Sequence, residues 1–548
     1  MSSIINSAMS GLSAAQAALS TTSNNISNYT VAGYSRQTIL LNQANSTLSG
    51  NSYYGNGVNV TGVQREYDEF ITAQLRGSSA NYSAVNTQYS QISNIDDLLS
   101  TSTTSLSTSI QSFFTNVSNV VSNASDPSAR QSMLSYAQGL VNQFQTNAQY
   151  LTSMQNSVNT DVSSSVDQIN TFTSQIANLN TQISKLTSSD GSAPNDLLDQ
   201  RDQLVNSLNN VVGVTVSKQD GNYIVSMGST TLVNGKNTTQ LVAMPSSSDP
   251  SRVTVGYVDK LAGNVEIPEK TLTTGSLGGL LAFRTQDLDT AQNQLGQLAA
   301  AFTTSFNAVQ TAGYDSNGNK GSDFFTIGSP TVLSNTKNTG SAEVTAAWSD
   351  SSALKASNYT VSYDGSNWSV TRMSDNVKVT ATSGTDGSGN TTLSFDGLDL
   401  TVSGTAQAKD SFLVKPVQDV IGGMKVAITD ESQIAAASSA TSGESDNTNA
   451  KKMLDLQNSK LVNGNSTLAQ AYATIVSTVG NKTSSLKTAS TTQESVVSQL
   501  TDRQQSVSGV NLDEEYSNLT KYQQFYMANA QVLQTASTIF NALMDIRG

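Results

Sequence analysis

The chain has 548 residues, of which 13% are charged and 36% hydrophobic, and its formal net charge is −13. Cysteine and histidine are both absent, which removes disulfides, thiolate and imidazole zinc sites, Ser-His-Asp triads and Cys-His dyads together. The acidic balance, without any basic cluster, argues against nucleic acid and anionic membrane as partners, and the length predicts three or four domains.

From the amino terminus, Ile5, Ala8, Leu12, Ala15, Leu19, Thr22 and Ile26 step by three and four without a break, and no charged side chain precedes Arg36. That spacing predicts a helix with a thin seam, able to approach a neighbour closely but burying little apolar area per turn. Gly11 inside it costs roughly 1 kcal/mol relative to alanine. The same segment has neither a basic region nor an unbroken apolar core, so no conventional signal peptide is expected. No apolar run is long enough to predict a membrane-spanning helix.

Gln37 to Gln64 is rich in Asn, Ser and Gly and reads as an irregular connection with short strands such as Val58 to Val63. A helical region begins near Glu66, and from Tyr82 the helical period is sustained through Val85, Tyr89 and Ile92, then Leu106, Ile110, Phe113, Val117 and Val120. Asp126 and Pro127 read as a cap and a first helical residue, opening a helix that runs to about Leu186. Pro194 to Val212 is a further helix in which Asp196, Asp199 and Asp202 accompany Arg201. Three acids at a spacing of three could suggest a metal or acid/base cluster. Their place in the first turns favours capping and ion pairing instead.

Val214 to about Thr273 alternates and is broken by Asp220-Gly221 and Asn234-Gly235, which predicts one β-rich insert. Gly275 to Gly313 is helical again. Asp315 to Phe325 has oxygens at alternate positions as in a calcium loop, but its glycines are misplaced and Thr326 stands where the bidentate glutamate belongs, so a plain turn is expected. Between Pro330 and Pro416 the pattern is entirely β, with Asp-Gly pairs between alternating runs, which suits a small sandwich or barrel. Trp348 and Trp368 belong to its core. Ile434 to Asn449 is Ala/Ser-rich and reads as flexible, and helix resumes from Ala450 through Leu500.

At the carboxy terminus Leu512, Leu519, Tyr526, Leu533 and Phe540 recur every seven residues, and Val532, Ala536, Ile539, Leu543 and Ile546 form a second row. Two adjacent seams make an apolar face too wide for one partner helix. This helix therefore requires several neighbours.

Two stretches resemble a known family. NNISNYTVAGYSR, from Asn24 to Arg36, is similar to the amino-terminal motif of the bacterial flagellar rod, hook and hook-associated axial proteins. NLDEEYSNLTKYQQFYMANAQVLQT, from Asn511, is similar to their terminal motif, and its Asp513-Glu514-Glu515 form is closest to the members that join hook to filament. Val31-Ala32 departs from the family, where a proline commonly precedes Gly33. Pro194 to Arg201 also resembles a segment of hook-associated members.

The resemblance implies a multi-domain α+β chain with a terminal coiled-coil stalk, a helical bundle and two nested β-rich inserts. The expected partition is 1–35 with 510–548 for the stalk and 36–213 with 275–313 and 425–509 for the bundle. It continues as 214–274 with 314–334 for the first insert and 335–424 for the outer one. It implies a self-assembling structural subunit rather than an enzyme, with no cofactor and no metal, exported to the extracellular flagellum without a cleaved signal. Its implied partners are a ring of identical subunits, the hook protein, the second hook–filament junction protein and an export chaperone at the carboxy-terminal helix. The assembly positions are Ile5, Leu12, Leu19, Ile26, Leu512, Leu519, Tyr526, Leu533, Ile539, Phe540 and Leu543, with Asn24, Asn25, Asn28, Gly33 and Tyr34 fixing the turn after the first helix. Two other readings stand beside it: another axial subunit such as hook or rod protein, and a secreted glycoside hydrolase using two carboxylates.

Overall fold

A computed structural model describes residues 2–49, 51–100, 105–187, 193–219 and 221–547; Asp220 of the expected first hairpin lies outside them, as does the side chain of Ile546. In chain order, α1 (Ser2–Asn28) is followed by four short strands, β1 (Gln37–Gln43), β2 (Thr47–Ser49), β3 (Ser52–Tyr54) and β4 (Val58–Arg65). Then come α2 (Glu69–Ser100), α3 (Leu106–Ser122), α4 (Pro127–Leu186) and α5 (Asn195–Val211). Asp126 accepts a hydrogen bond from the Ser128 amide at 2.9 Å where α4 begins, as its cap-and-proline sequence predicts.

Two compact units result, one from residues 1–83, 168–240 and 491–548, the other from 84–167 and 241–490. In the first unit, β1 and β4 form an antiparallel ribbon with a bulge at Leu40/Leu41, and β2 pairs with β3. The connection expected to be irregular is thus mostly paired. The same unit holds a four-stranded antiparallel sheet of β5 (Thr215–Gln219), β6 (Asn222–Met227), β7 (Thr230–Asn234) and β8 (Asn237–Thr238). The buried amide of Asn180 on α4 fastens it, donating to the carbonyls of Tyr223 and Gly235. The chain ends in α10, Leu512–Arg547.

The second unit contains a separate three-stranded sheet, β9 (Leu241–Pro245), β10 (Val253–Asp259) and β11 (Gly263–Glu266). The region expected to be one β-rich insert therefore builds two sheets. After α6 (Gly275–Ala282) a π-helical stretch, Phe283–Leu288, leads into α7 (Asp289–Ala312). The extra residue of a π turn interrupts the helix expected to be uniform from Gly275. It carries Arg284 and Asp287 to buried positions. Further along, at the carboxy-terminal half of α7, Phe113, Phe302, Phe306, Phe324 and Phe325 pack their rings at tilted and edge-to-face angles in the core.

Beyond β12 (Phe325–Thr326) lies a β-sandwich whose strands are β13 (Thr331–Ser334), β14 (Glu343–Trp348), β15 (Tyr359–Tyr363), β16 (Trp368–Arg372), β17 (Val377–Val379), β18 (Thr382–Thr385), β19 (Thr391–Phe395), β20 (Leu398–Ser403) and β21 (Ser411–Lys415). One sheet runs β13-β21-β15-β16-β17 and the other β14-β20-β19-β18. Its core includes Leu354, Tyr359, Phe395, Leu398 and Phe412, with Trp348 and Trp368 packed against it.

Two expectations fail after the sandwich, beyond β22 (Lys425–Val426). The Ala/Ser-rich stretch is not flexible at its start: Ile434, Ala435, Ala436 and Ala437 are buried. The guanidinium of Arg130 donates to the Ile434 carbonyl at 2.8 Å, and Gln310 accepts from the Ala435 amide. Small residues there serve close packing rather than mobility. The helix expected from Ala450 is also broken, into α8 (Thr448–Asp455) and α9 (Leu468–Ser508). Asn463 and Gly464 turn the chain between them with positive φ.

Candidate assembly interface

α1 and α10 lie against each other through small side chains. Ala8, Ala14, Ala15 and Ala18 of α1 and Ala536 of α10 are buried. A side chain at Gly11 would collide with the amide of Asn529, so the mid-helix glycine leaves room for that side chain. The expected positions divide in two. Leu12, Leu19, Ile26, Leu512 and Leu519 are half-buried along this contact, and Ile5 and Leu533 line an open hollow with Phe540. Tyr526, Ile539, Phe540 and Leu543 instead face outward.

Among the described residues of α10, nine large apolar side chains are exposed, namely Tyr516, Phe525, Tyr526, Met527, Val532, Ile539, Phe540, Leu543 and Met544. Ile4 and Met9 add to them from α1, and the β1–β4 region exposes Leu40, Leu41, Tyr53 and Tyr54. Exposed apolar side chains in such number are a feature of surfaces that other proteins cover.

The turn after α1 is held by one buried amide. Asn25 is 1% exposed. Its Nδ2 donates to the Gln37 carbonyl at 2.9 Å and to Glu515 at 3.2 Å, while its Oδ1 accepts from the Tyr34 hydroxyl and the Gln37 amide. Every polar valence of that side chain is thereby used. Burial, with the carboxylates of Asp199 and Glu515, pushes the Tyr34 phenol up to about 12, so it stays a donor. Gly33 has φ +82° and completes the turn. Asn24 and Asn28 are tied to each other, Asn28 Nδ2 donating to both oxygens of Asn24 within the last turn of α1.

Charged partners that periodicity does not reveal complete the site. Arg36 pairs with Glu515 at 2.8 Å and Glu514 at 2.9 Å, joining the first charged residue of the chain to the acidic start of α10. Asp199 accepts from the Ser35 amide and hydroxyl and pairs with Arg65, which also holds Asp202. Burial raises the Asp202 carboxyl, but the guanidiniums of Arg65 and Arg76 outweigh it and hold the group below its ordinary range. Asp199 and Asp202 are thus ion-paired, but neither caps α5, whose N-cap position is held by Pro194. Among the described residues no cluster of acids could hold a metal ion, and no helix is long and apolar enough to cross a membrane.

Residues 92–325 match the model of the flagellar hook-associated protein FlgK helical domain, and residues 333–416 a hook-associated protein 1 D2-like domain. Residues 5–34 match the flagella basal body rod protein model, and 503–546 the carboxy-terminal model of the rod FlgEFG proteins. The chain is 58% identical to flagellar hook-associated protein 1 of Salmonella typhimurium and 56% identical to that of Escherichia coli, each over 100% of both chains. The flagellar hook junction protein FlgK of Burkholderia pseudomallei superposes with a TM-score of 0.75 at 31% identity, covering 80% of this chain and 100% of that one. An α+β chain with paired terminal helices and these matches is a structural subunit of the extracellular flagellum. It belongs to the flagellar hook-associated protein 1 family, at the hook–filament junction.

Proposed function

We propose that the chain polymerises through its terminal helices, copies packing side by side into a ring that connects hook below to filament components above. The observation that supports this most is α10: nine large apolar side chains lie open to solvent, and its partner α1 offers chiefly alanines. Burying about 25 cal/mol of stabilisation per Å² of such surface requires neighbouring subunits. In this reading Asn24, Asn25, Asn28, Gly33 and Tyr34 set the angle at which α1 leaves the stalk, and the outward residues Tyr526, Ile539, Phe540 and Leu543 meet other copies. Residues 1–35 with 510–548 form the assembling domain, and 335–424 form an outer domain.

The direct partners are then the hook protein, the second junction protein and other copies of this chain. An export chaperone covering the apolar face of α10 before secretion, and passage without a cleaved signal, complete the reading. Electron microscopy of cells lacking the protein tests it: hooks without filaments are expected. Normal filaments in the deletion strain would sink the proposal.

A further inference from the structure

The chain contains eleven methionines and no cysteine, so thioether is its only sulfur. Five of these methionines are buried, Met133, Met424 and Met453 fully and Met154 and Met227 nearly so. Among the described residues, four methionines are exposed: Met9, Met373, Met527 and Met544. Three of the four lie on α1 and α10. Met544 stands one turn beyond Phe540 and beside Leu543 on the outward face, and Met527 follows Tyr526.

We infer that Met9, Met527 and Met544 are a peroxide-sensitive modification site, and that their oxidation switches off the self-association surface of the terminal helices. This rests on the assembly reading above. In the step, a sulfur lone pair attacks one oxygen of hydrogen peroxide and the O–O bond breaks. The sulfur becomes a sulfoxide, the second oxygen leaves as water with both protons, and two electrons pass from sulfur to peroxide. Exposure governs the rate, because the oxidant must reach the sulfur. The product is a strong hydrogen-bond acceptor placed where an apolar contact is required, and burying it without a donor is unfavourable. Assembly and oxidation therefore exclude each other: packing against a neighbour would cover the three sulfurs.

The test uses the purified full-length chain, hydrogen peroxide and hooks isolated from cells lacking this protein. Peptide mass spectrometry along the reaction should show Met9, Met527 and Met544 oxidised at least tenfold faster than Met133, Met424 and Met453, with Met373 an exposed control. Sedimentation with hooks should fall at least tenfold after oxidation and return after treatment with methionine sulfoxide reductases of both stereospecificities. A chain carrying Met9→Leu, Met527→Leu and Met544→Leu, compared with its own untreated sample, should keep its hook binding through the same peroxide exposure. Undiminished binding by the oxidised chain, or a loss that reduction does not reverse, would overturn the inference. So would an equal peroxide-induced loss in the triple variant. Failure of the untreated natural chain to bind hooks is a separate result, which would remove the assembly reading itself.

Discussion

In the β-sandwich, Trp348 and Trp368 turn onto a core that already holds Tyr359, Phe395 and Phe412. On α10, Phe525, Phe540 and Leu543 point the same kind of surface into solvent. Both regions come from weakly charged sequence with a regular apolar period. They differ in where the complementary surface is encoded. Each sandwich strand faces another sheet supplied by the same stretch of chain, so one sequence segment closes its own core. α10 has a face wider than one helix, and the partner within the chain is thinned to alanine. A period alone thus specifies an apolar face; the bulk of its partner decides whether that face is a core or an interface.

The largest expected effect would come from Phe540→Asp. Its side chain is exposed, so the melting temperature of the monomer should stay within about 1 °C, while an unpaired charge between packed helices should abolish filament formation. Filaments of normal length on this variant would break the comparison outright. Phe113→Ala is the mirror case: the ring is fully buried among phenylalanines, and its loss should cost about 3–5 kcal/mol by denaturant unfolding. Assembly of whatever chain remains folded should persist.

A smaller effect is expected where the terminal pair does have an internal core. Asn25→Ala would leave the Gln37 amide and carbonyl unpaired, at a cost of about 2 kcal/mol. Amide exchange should accelerate at residues 25–37 and at the start of α10 and stay unchanged in the sandwich. Acceleration confined to the sandwich would contradict the assigned role of that amide.

The smallest effect concerns Asp287 on the π turn. Burial pushes its carboxyl up to about 6, against the opposing hydrogen bond from Gln88 and the charge of Lys482. A raised folded value means the protonated form is favoured in the folded state. The group's contribution is therefore complete below the ordinary carboxylate pKa near 4 and is lost as pH rises to about 6. Asp287→Asn should remove that pH dependence and raise stability at pH 7 by about 1–2 kcal/mol. A melting curve of the variant that keeps the same slope between pH 4 and 6 would assign the effect elsewhere.

Much of this was legible before any coordinates. The helices that carry Ile5–Ile26 and Leu512–Phe540, the Asp126-Pro127 helix start and the strands between Pro330 and Pro416 follow from spacing and turn residues. So does the reading of Asp199 and Asp202 as ion-paired acids. What escaped depended on distant partners. Nothing near Ile434 announces that Arg130 will bind its carbonyl, so an alanine-rich core segment looked like a linker. Similarly, a helical period extends across Phe283–Leu288, and the single extra residue of the π turn leaves no mark in it. Glu515 carried a signal within a quoted motif, yet its partner Arg36 becomes visible only when the two ends of the chain meet.

That meeting has a consequence for timing. The hydrogen bond from Asn25 to Glu515 closes a span of 490 residues. At about 5–20 residues per second of synthesis, α1 waits roughly half a minute to a minute and a half before its partner helix exists. A nascent chain holds every strand of its sandwich well before α10 is made, and until then α1 lacks the helix it packs against. If the chain polymerises as proposed, products truncated before Leu512 lack α10 and with it the apolar face that neighbouring copies would cover.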